Sequence, residues 1–207
     1  MTCYHPHPDD KGRPVVIRTP SIPTPVEHWL QPGLRATVLP QGALPPALSG
    51  LAFAPWHDAP TSDEGWASVA GQARIEEPAF ILPPGKAAAA GVAIEEDDGR
   101  IWLVAPSNQF GGYQATFPKG RVEPGFSLQA SAIREAFEES GLQVAITGFL
   151  ADSARSQTFT RYYRARRVGG TPAAMGWETQ AVHLVPRAQL LDVATHANDK
   201  ALIALLT

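Results

Sequence analysis

The chain has 207 residues, 44% of them hydrophobic and 18% charged, with a formal net charge of -3. These values fit one or two globular domains and exclude a disordered chain and a whole-protein basic field for nucleic acid. The single cysteine, Cys3, excludes a disulfide framework, a cysteine zinc site and a Cys-x-x-Cys redox pair.

Proline divides the chain. Fifteen of its 20 prolines lie between Pro6 and Pro84. Proline fixes φ and lacks a backbone donor, so this part is expected as extended segments and turns. It carries Trp29, Leu51, Phe53, Trp56 and Trp66, which are large packing units. Residues 1–84 are therefore read as an extension that packs on the core or a partner, with about the first dozen residues loose. His5, His7, Asp9 and Asp10 fall in that loose stretch. Residues 1–84 hold eight acidic and five basic side chains, whereas residues 85–207 hold twelve of each. Charge chemistry in the second part must then come from local clustering.

From Ala87 the pattern becomes regular. AAAGVAIEEDDGRIWLVAPS reads as strand, Asp-Gly turn, strand. TFPKG gives a short strand ending at Pro118 and Gly120, and SLQASAIREAFEESGL a helix. VAITGFL and TFTRYYRARRV are strands with Gly169-Gly170 as a turn, and TQAVHLV is another strand, in which His183 reads as a packed histidine. PRAQLLDVA is a short helix. Asn198-Asp199 is expected to cap a last helix, KALIALL, with His196 at the surface. Interleaved strands and helices give an α/β or α+β class with a mixed sheet. No run of about 18 apolar residues is present. The start, MTCYHPHPDDKG, lacks a basic segment followed by an apolar one, so a cytoplasmic address is expected.

The helix near residues 128–140 carries the chemistry. At about 100° per residue, Ala130, Ala132, Ile133, Ala136 and Phe137 share one face. Glu135, Glu138 and Glu139 share another. At about 5 Å and an effective dielectric of about 20, each carboxylate pair repels by about 3 kcal/mol. Water, protons, basic partners or a cation must offset this, and one Arg134 does not balance three negative charges. Hard oxygen donors of this kind suit Mg²⁺ or Mn²⁺.

Gly120 to Leu142 reads GRVEPGFSLQASAIREAFEESGL. It resembles the Nudix box, G-x5-E-x7-R-E-U-x-E-E-x-G-U with U apolar. Gly120, Arg134, Glu135, Ala136, Glu138, Glu139, Gly141 and Leu142 match, eight of nine fixed positions. The first glutamate of the box is replaced by Phe126, and Glu123 lies three residues earlier. The resemblance covers about residues 85–207 and implies an α/β/α sandwich. It further implies metal-dependent hydrolysis of a phosphoanhydride bond in a nucleoside diphosphate linked to another group. Diadenosine polyphosphates, diphosphoinositol polyphosphates and ADP-ribose-like compounds are the substrate classes it suggests. On the same footing, Glu135, Glu138 and Glu139 hold Mg²⁺ or Mn²⁺, and the Lys119 carbonyl before Gly120 completes the shell. Such ions would neutralise phosphate oxygens and acidify a water for attack on phosphorus. Box glutamates or a later glutamate serve as base, and Glu178, in GWETQ, is the candidate for the latter.

Lys119 and Arg121 flank Gly120 and are candidates for substrate phosphates. Arg155, Arg161, Arg164, Arg166 and Arg167 cluster near one strand. Alternation puts Arg164 and Arg166 on one face and Arg161 and Arg167 on the other, so only part of the set can serve one site. Arg164 is taken as the substrate-binding candidate and the rest as edge charges. The Ser107–Tyr113 loop is either a substrate contact or a turn. The expected partners are a small nucleotide or polyphosphate, with no nucleic acid and no membrane, and a homodimer is left open. The rival reading, kept alive by Phe126, is a catalytically weak Nudix fold that binds a nucleotide as a sensor or regulator.

Overall fold

The computed structural model describes residues 2–207. The extension contributes five short strands and one short helix: β1 (Cys3–Tyr4), β2 (Val16–Ile17), β3 (Ala36–Val38), β4 (Ala47–Leu48), β5 (Leu51–Ala52) and α1 (Asp63–Ala67). The rest comprises β6 (Ala87–Glu95), β7 (Ile101–Pro106), β8 (Lys119–Arg121), α2 (Leu128–Ser140), β9 (Leu142–Ala154), β10 (Thr158–Gly170), β11 (Thr179–Val185), α3 (Leu190–Val193) and α4 (Ala197–Ile203).

The main sheet runs β3-β11-β7-β6-β10-β9, with β8 paired to β6. It is mixed, because β6 and β10 are parallel while its other pairings are antiparallel. Side chains alternate across it with the period of two expected of strands buried on both faces. Val92, Ile94, Trp102, Val104 and Tyr163 face α2 and the extension, and Ala93, Ile101, Leu103 and Tyr162 face α3 and α4. The result is the expected α/β/α sandwich.

The extension is integral to the first core. Trp29 is fully buried, with its ring centroid 5.7 Å from that of Trp102. Trp56 and Trp66 close on Phe137 of α2 at 5.1 and 5.9 Å. Fully burying a large apolar side chain contributes roughly 1.5–3 kcal/mol, and Trp29 and Trp66 are buried while Trp56 and Phe137 are partly so. β3 adds an edge strand, pairing Val38 with Val182 and Ala36 with Leu184. The buried Arg100 guanidinium donates to the carbonyls of His28 and Leu34, both at 3.1 Å, and to Asp98 at 2.6 Å.

Several expectations are corrected. Gly169-Gly170 is no turn but the end of β10, paired with Gln143 and Leu142 of β9. The TFPKG strand is confined to Lys119–Arg121, and Pro118 contributes only its carbonyl, which accepts from Val92 N at 3.0 Å. The last helix is capped by His196, whose ring accepts from Asn198 N, while Asp199 faces inward to Arg155 at 2.7 Å. The stretch expected to be loose instead holds a β1–β2 hairpin over residues 3–17, with His5 buried.

Candidate functional site

α2 places the carboxylates. Ser127 caps its N-terminus by accepting from Ala130 N at 2.9 Å. Gly141 ends it in the left-handed conformation, φ 69°, where a Cβ would meet the Thr171 carbonyl at 2.3 Å. The alanine and isoleucine face enters the core, and Phe137 meets the tryptophans of the extension. That leaves Glu135 and Glu139 turned toward β8. A Cβ at Gly120 would lie 2.0 Å from Glu135 Oε1, so only glycine admits that carboxylate against the backbone. Lys119 N donates to Glu139 Oε2 at 2.9 Å.

Glu178, in the turn leading into β11, belongs to the same electrostatic group. Burial is the main cause that pushes the Glu135 carboxyl up to about 9, with repulsion from Glu139, Glu138 and Glu178 adding to it. Burial likewise lifts Glu139 to about 7, against the pull of Lys119. Glu178 is raised by burial and by repulsion from Asp10 and Glu138. A site that crowds carboxylates at this cost suits a divalent cation held by oxygen. Among the described residues, however, no three His, Cys, Asp or Glu side chains are gathered into a finished metal shell. Glu138 pairs with Arg134 at 2.7 Å instead of turning toward the other two carboxylates. The donor chemistry therefore fits an ion, with Glu138 as the ligand that would have to leave Arg134.

Phe126, at the position of the missing box glutamate, packs against the first core, and Arg134 lies 5.5 Å over its ring. Arg134 also holds Glu123 at 3.0 Å, so Glu123 serves as an ion-pair partner in this geometry. Phe126, Ser131, Arg121 and Glu135 line a common small cavity of about 10 Å³. The Phe126→Glu chain is therefore expected to bind Mn²⁺ several-fold more tightly, and unchanged affinity by calorimetry would show that this position does not address the site.

The other candidates fall as follows. Lys119 Nζ lies 5.1 Å from the Tyr113 ring centre, and Tyr113 stacks on His196 at 4.0 Å. Arg121 is exposed and reaches Gln157 at 3.2 Å. Arg164 donates to the Leu205 carbonyl at 2.7 Å, so it is committed to the C-terminal turn and is not held against the box. Three arginines read as edge charges are buried in ion pairs instead. Arg155 meets Asp199 at 2.7 Å, Arg161 meets Asp152 and Glu77 at 2.8 Å, and Arg167 meets Glu96 at 2.7 Å. Asp199, Glu77 and Glu96 sit 44 or more residues from their arginines, beyond any local pattern, whereas Asp152 is the cross-strand neighbour of Arg161 on the adjacent β9. His183 is packed as read. Its ring shares a 2.9 Å hydrogen bond with Thr37, and burial lowers it to about 4. A cleft of about 350 Å³ opens at the N-terminal end of α2, lined by Arg74, Glu77, Gln129 and Arg161 among others. It lies about 12 Å along the helix from Glu135, at 1.5 Å per residue.

The mixed sheet lies between helices, with Gly120 of β8 set against the glutamate-bearing α2, an α/β/α sandwich. The NUDIX domain family model matches residues 85–206, and the chain belongs to the Nudix family. An RNA pyrophosphohydrolase of Caulobacter vibrioides is 34% identical over 92 residues, covering 44% of this chain and 50% of that relative. The match thus spans about half the length of the curated relatives. Among solved structures, an Ap4A hydrolase binary complex from C. elegans is 20% identical with TM-score 0.47, covering 57% of this chain and 93% of that one. A NUDIX hydrolase from Nitrosomonas europaea is 18% identical with TM-score 0.49, covering 60% of this chain and 69% of that one. Among the described residues, no helix is long and apolar enough to cross a membrane.

Proposed function

We propose that the chain hydrolyses a phosphoanhydride bond in a nucleoside diphosphate linked to another moiety, using Mg²⁺ or Mn²⁺. The observation that carries this reading is the placement of Glu135 and Glu139 against the Lys119–Gly120 backbone, with Glu178 near enough to repel both. Glu135, Glu138, Glu139 and the Lys119 carbonyl beside Gly120 would hold the ion. When bound, it supplies neutralisation of phosphate oxygens and a more acidic water.

The protein's own groups do the rest. Lys119, close to Tyr113 and next to the carboxylates, binds a phosphate oxygen of the substrate, and Arg121 binds another from the exposed side of β8. Glu178 accepts the proton of the attacking water; its raised pKa moves it toward the range of a useful base near neutral pH. Arg164 is left out of the site because it serves Leu205. Residues 1–84 act as an extension packed on the Nudix domain at 85–207, and the protein works in the cytoplasm on a small nucleotide or polyphosphate.

A second reading has its own support. Phe126 removes one box carboxylate and Arg134 occupies Glu138, as expected of a fold that binds a nucleotide without turnover. One experiment separates the two. The protein with Mg²⁺ or Mn²⁺ is incubated with ADP-ribose, diadenosine polyphosphates, diphosphoinositol polyphosphates, nucleoside triphosphates and a pyrophosphate-bearing RNA. Metal-dependent phosphate or nucleotide release supports the enzyme. Tight binding with no product in either metal supports the binder.

A further inference from the structure

The segment Cys3–Arg18 lies outside the matched family domain, yet it reaches the candidate base. It folds on a rigid turn. Asp9 Oδ1 accepts from Lys11 N at 3.0 Å and Arg13 N at 2.8 Å, and Gly12 N donates to the Asp9 carbonyl at 2.8 Å. The β1–β2 pairing, Cys3 with Ile17 and Tyr4 with Val16, closes the hairpin.

This hairpin grips the turn that bears Glu178. His5 Nδ1 accepts from His7 N at 3.0 Å, which leaves the proton on Nε2 to be donated to the Thr179 carbonyl at 3.1 Å. Asp10 Oδ1 accepts from Trp177 Nε1 at 3.0 Å. On the other flank, Ser107 N donates to the Glu178 carbonyl at 2.7 Å and Ser107 Oγ to the Trp177 carbonyl at 2.8 Å. The carbonyls of residues 177, 178 and 179 are thus all taken. The hairpin also grips that flank. Asn108 Nδ2 donates to the Val16 carbonyl and Arg18 N to Asn108 Oδ1, both at 2.8 Å. Asn108 and Gln109 hold φ of 56° and 55°, a conformation that non-glycine residues keep only when their surroundings enforce it.

We propose that residues 3–18 form a strap that positions Glu178, with His5 acting through Thr179 and Asp10 through Trp177. The proposal rests on the reading of Glu178 as the catalytic base. A carboxylate on an unheld turn samples many placements, and misplacement by about 1 Å can cost about 100-fold in rate. The strap removes that freedom from a distance, so His5 and Asp10 are positioning residues.

The test combines His5→Ala with Trp177→Phe in the full chain. We expect kcat to fall about 10-fold with KM within about 2-fold, and the same pair to change kcat less than about 2-fold in a Glu178→Gln background. His5→Gln, which keeps a donor, is expected to restore most of the loss at that position. An unchanged kcat, or an equal loss in the Glu178→Gln background, overturns the strap while leaving hydrolysis intact. Should the double variant fail to fold, Asp10→Ala at the exposed turn replaces it, with a fall of about 3-fold expected and no fall overturning the proposal. If the wild-type chain turns over none of the substrates, the hydrolase reading fails separately. The strap is then judged by Mn²⁺ affinity, since Glu178 stands beside the ion-binding carboxylates. A several-fold weaker affinity in the double variant supports it, and an affinity within about 2-fold overturns it.

Discussion

Replacing Glu139 with glutamine is expected to lower kcat by on the order of 10²–10³-fold while leaving the chain folded. The amide oxygen of glutamine can still accept the Lys119 N–H, now bound at 2.9 Å to Glu139 Oε2, so the local backbone keeps its partner. What is lost is a negative charge where a cation and a phosphate must meet. The same substitution should raise the melting temperature of the metal-free protein at pH 8. Glu139 is lifted to about 7 mainly by burial, so above that pH the folded chain carries an unfavourable charge that glutamine lacks. With Mn²⁺ added the order reverses, because the wild-type chain gains more from the ion. Steady-state kinetics and melts with and without metal read both effects. Full activity in Glu139→Gln would remove this residue from the chemistry.

The second large effect is on stability against pH. In the folded, metal-free chain Glu135 and Glu139 bind protons up to about 9 and about 7, against an ordinary carboxyl value of 4.5. Raised carboxyls make the folded state bind more protons than the unfolded one. Stability is therefore lost as pH rises from about 4.5, through about 7 for Glu139 and about 9 for Glu135. His183, lowered by burial to about 4, acts in the opposite sense and removes stability as pH falls from 6.5. Metal-free stability should accordingly peak in the mildly acidic range and drop by about 1 kcal/mol or more toward pH 9. For a chain of this size that is roughly 2–4 °C or more in Tm. A saturating divalent ion adds about 2.7 kcal/mol at 100 times its dissociation constant and expels protons on binding. Melting curves from pH 5 to 9, with and without Mg²⁺ or Mn²⁺, check this. A flat metal-free profile in Glu135→Gln above pH 7 assigns the slope.

The chemistry-bearing helix was legible because its signals are local. A 3.6-residue period separates the alanine and isoleucine face from the glutamates, and Gly141 marks the stop. The mixed sheet was legible too, since apolar runs bounded by Asp97-Asp98-Gly99 and by prolines read as strands without knowledge of their neighbours. Contacts between distant segments were not. Arg155, Arg161 and Arg167 look like solvated charges until Asp199, Glu77 and Glu96 are brought to them by the fold. His5 and Asp10 look like a loose end among prolines until Thr179 and Trp177 supply partners. Glu138 is a box glutamate by position, yet its rotamer answers to Arg134, and Arg134 answers to Phe126. The Arg134–Glu138 pair, at i,i+4 on one helix, is readable from spacing, but the placement of Phe126 under Arg134 is not.

The central claim is that α2 and the start of β8 at Lys119–Gly120 together grip a doubly charged ion. Crystals soaked in Mn²⁺ and measured at its absorption edge test it most directly. The account predicts an anomalous peak between the Glu135 and Glu139 carboxylates and the Lys119 carbonyl, with Glu138 swung off Arg134. No peak there at saturating Mn²⁺, with Glu138 still on Arg134, would contradict it.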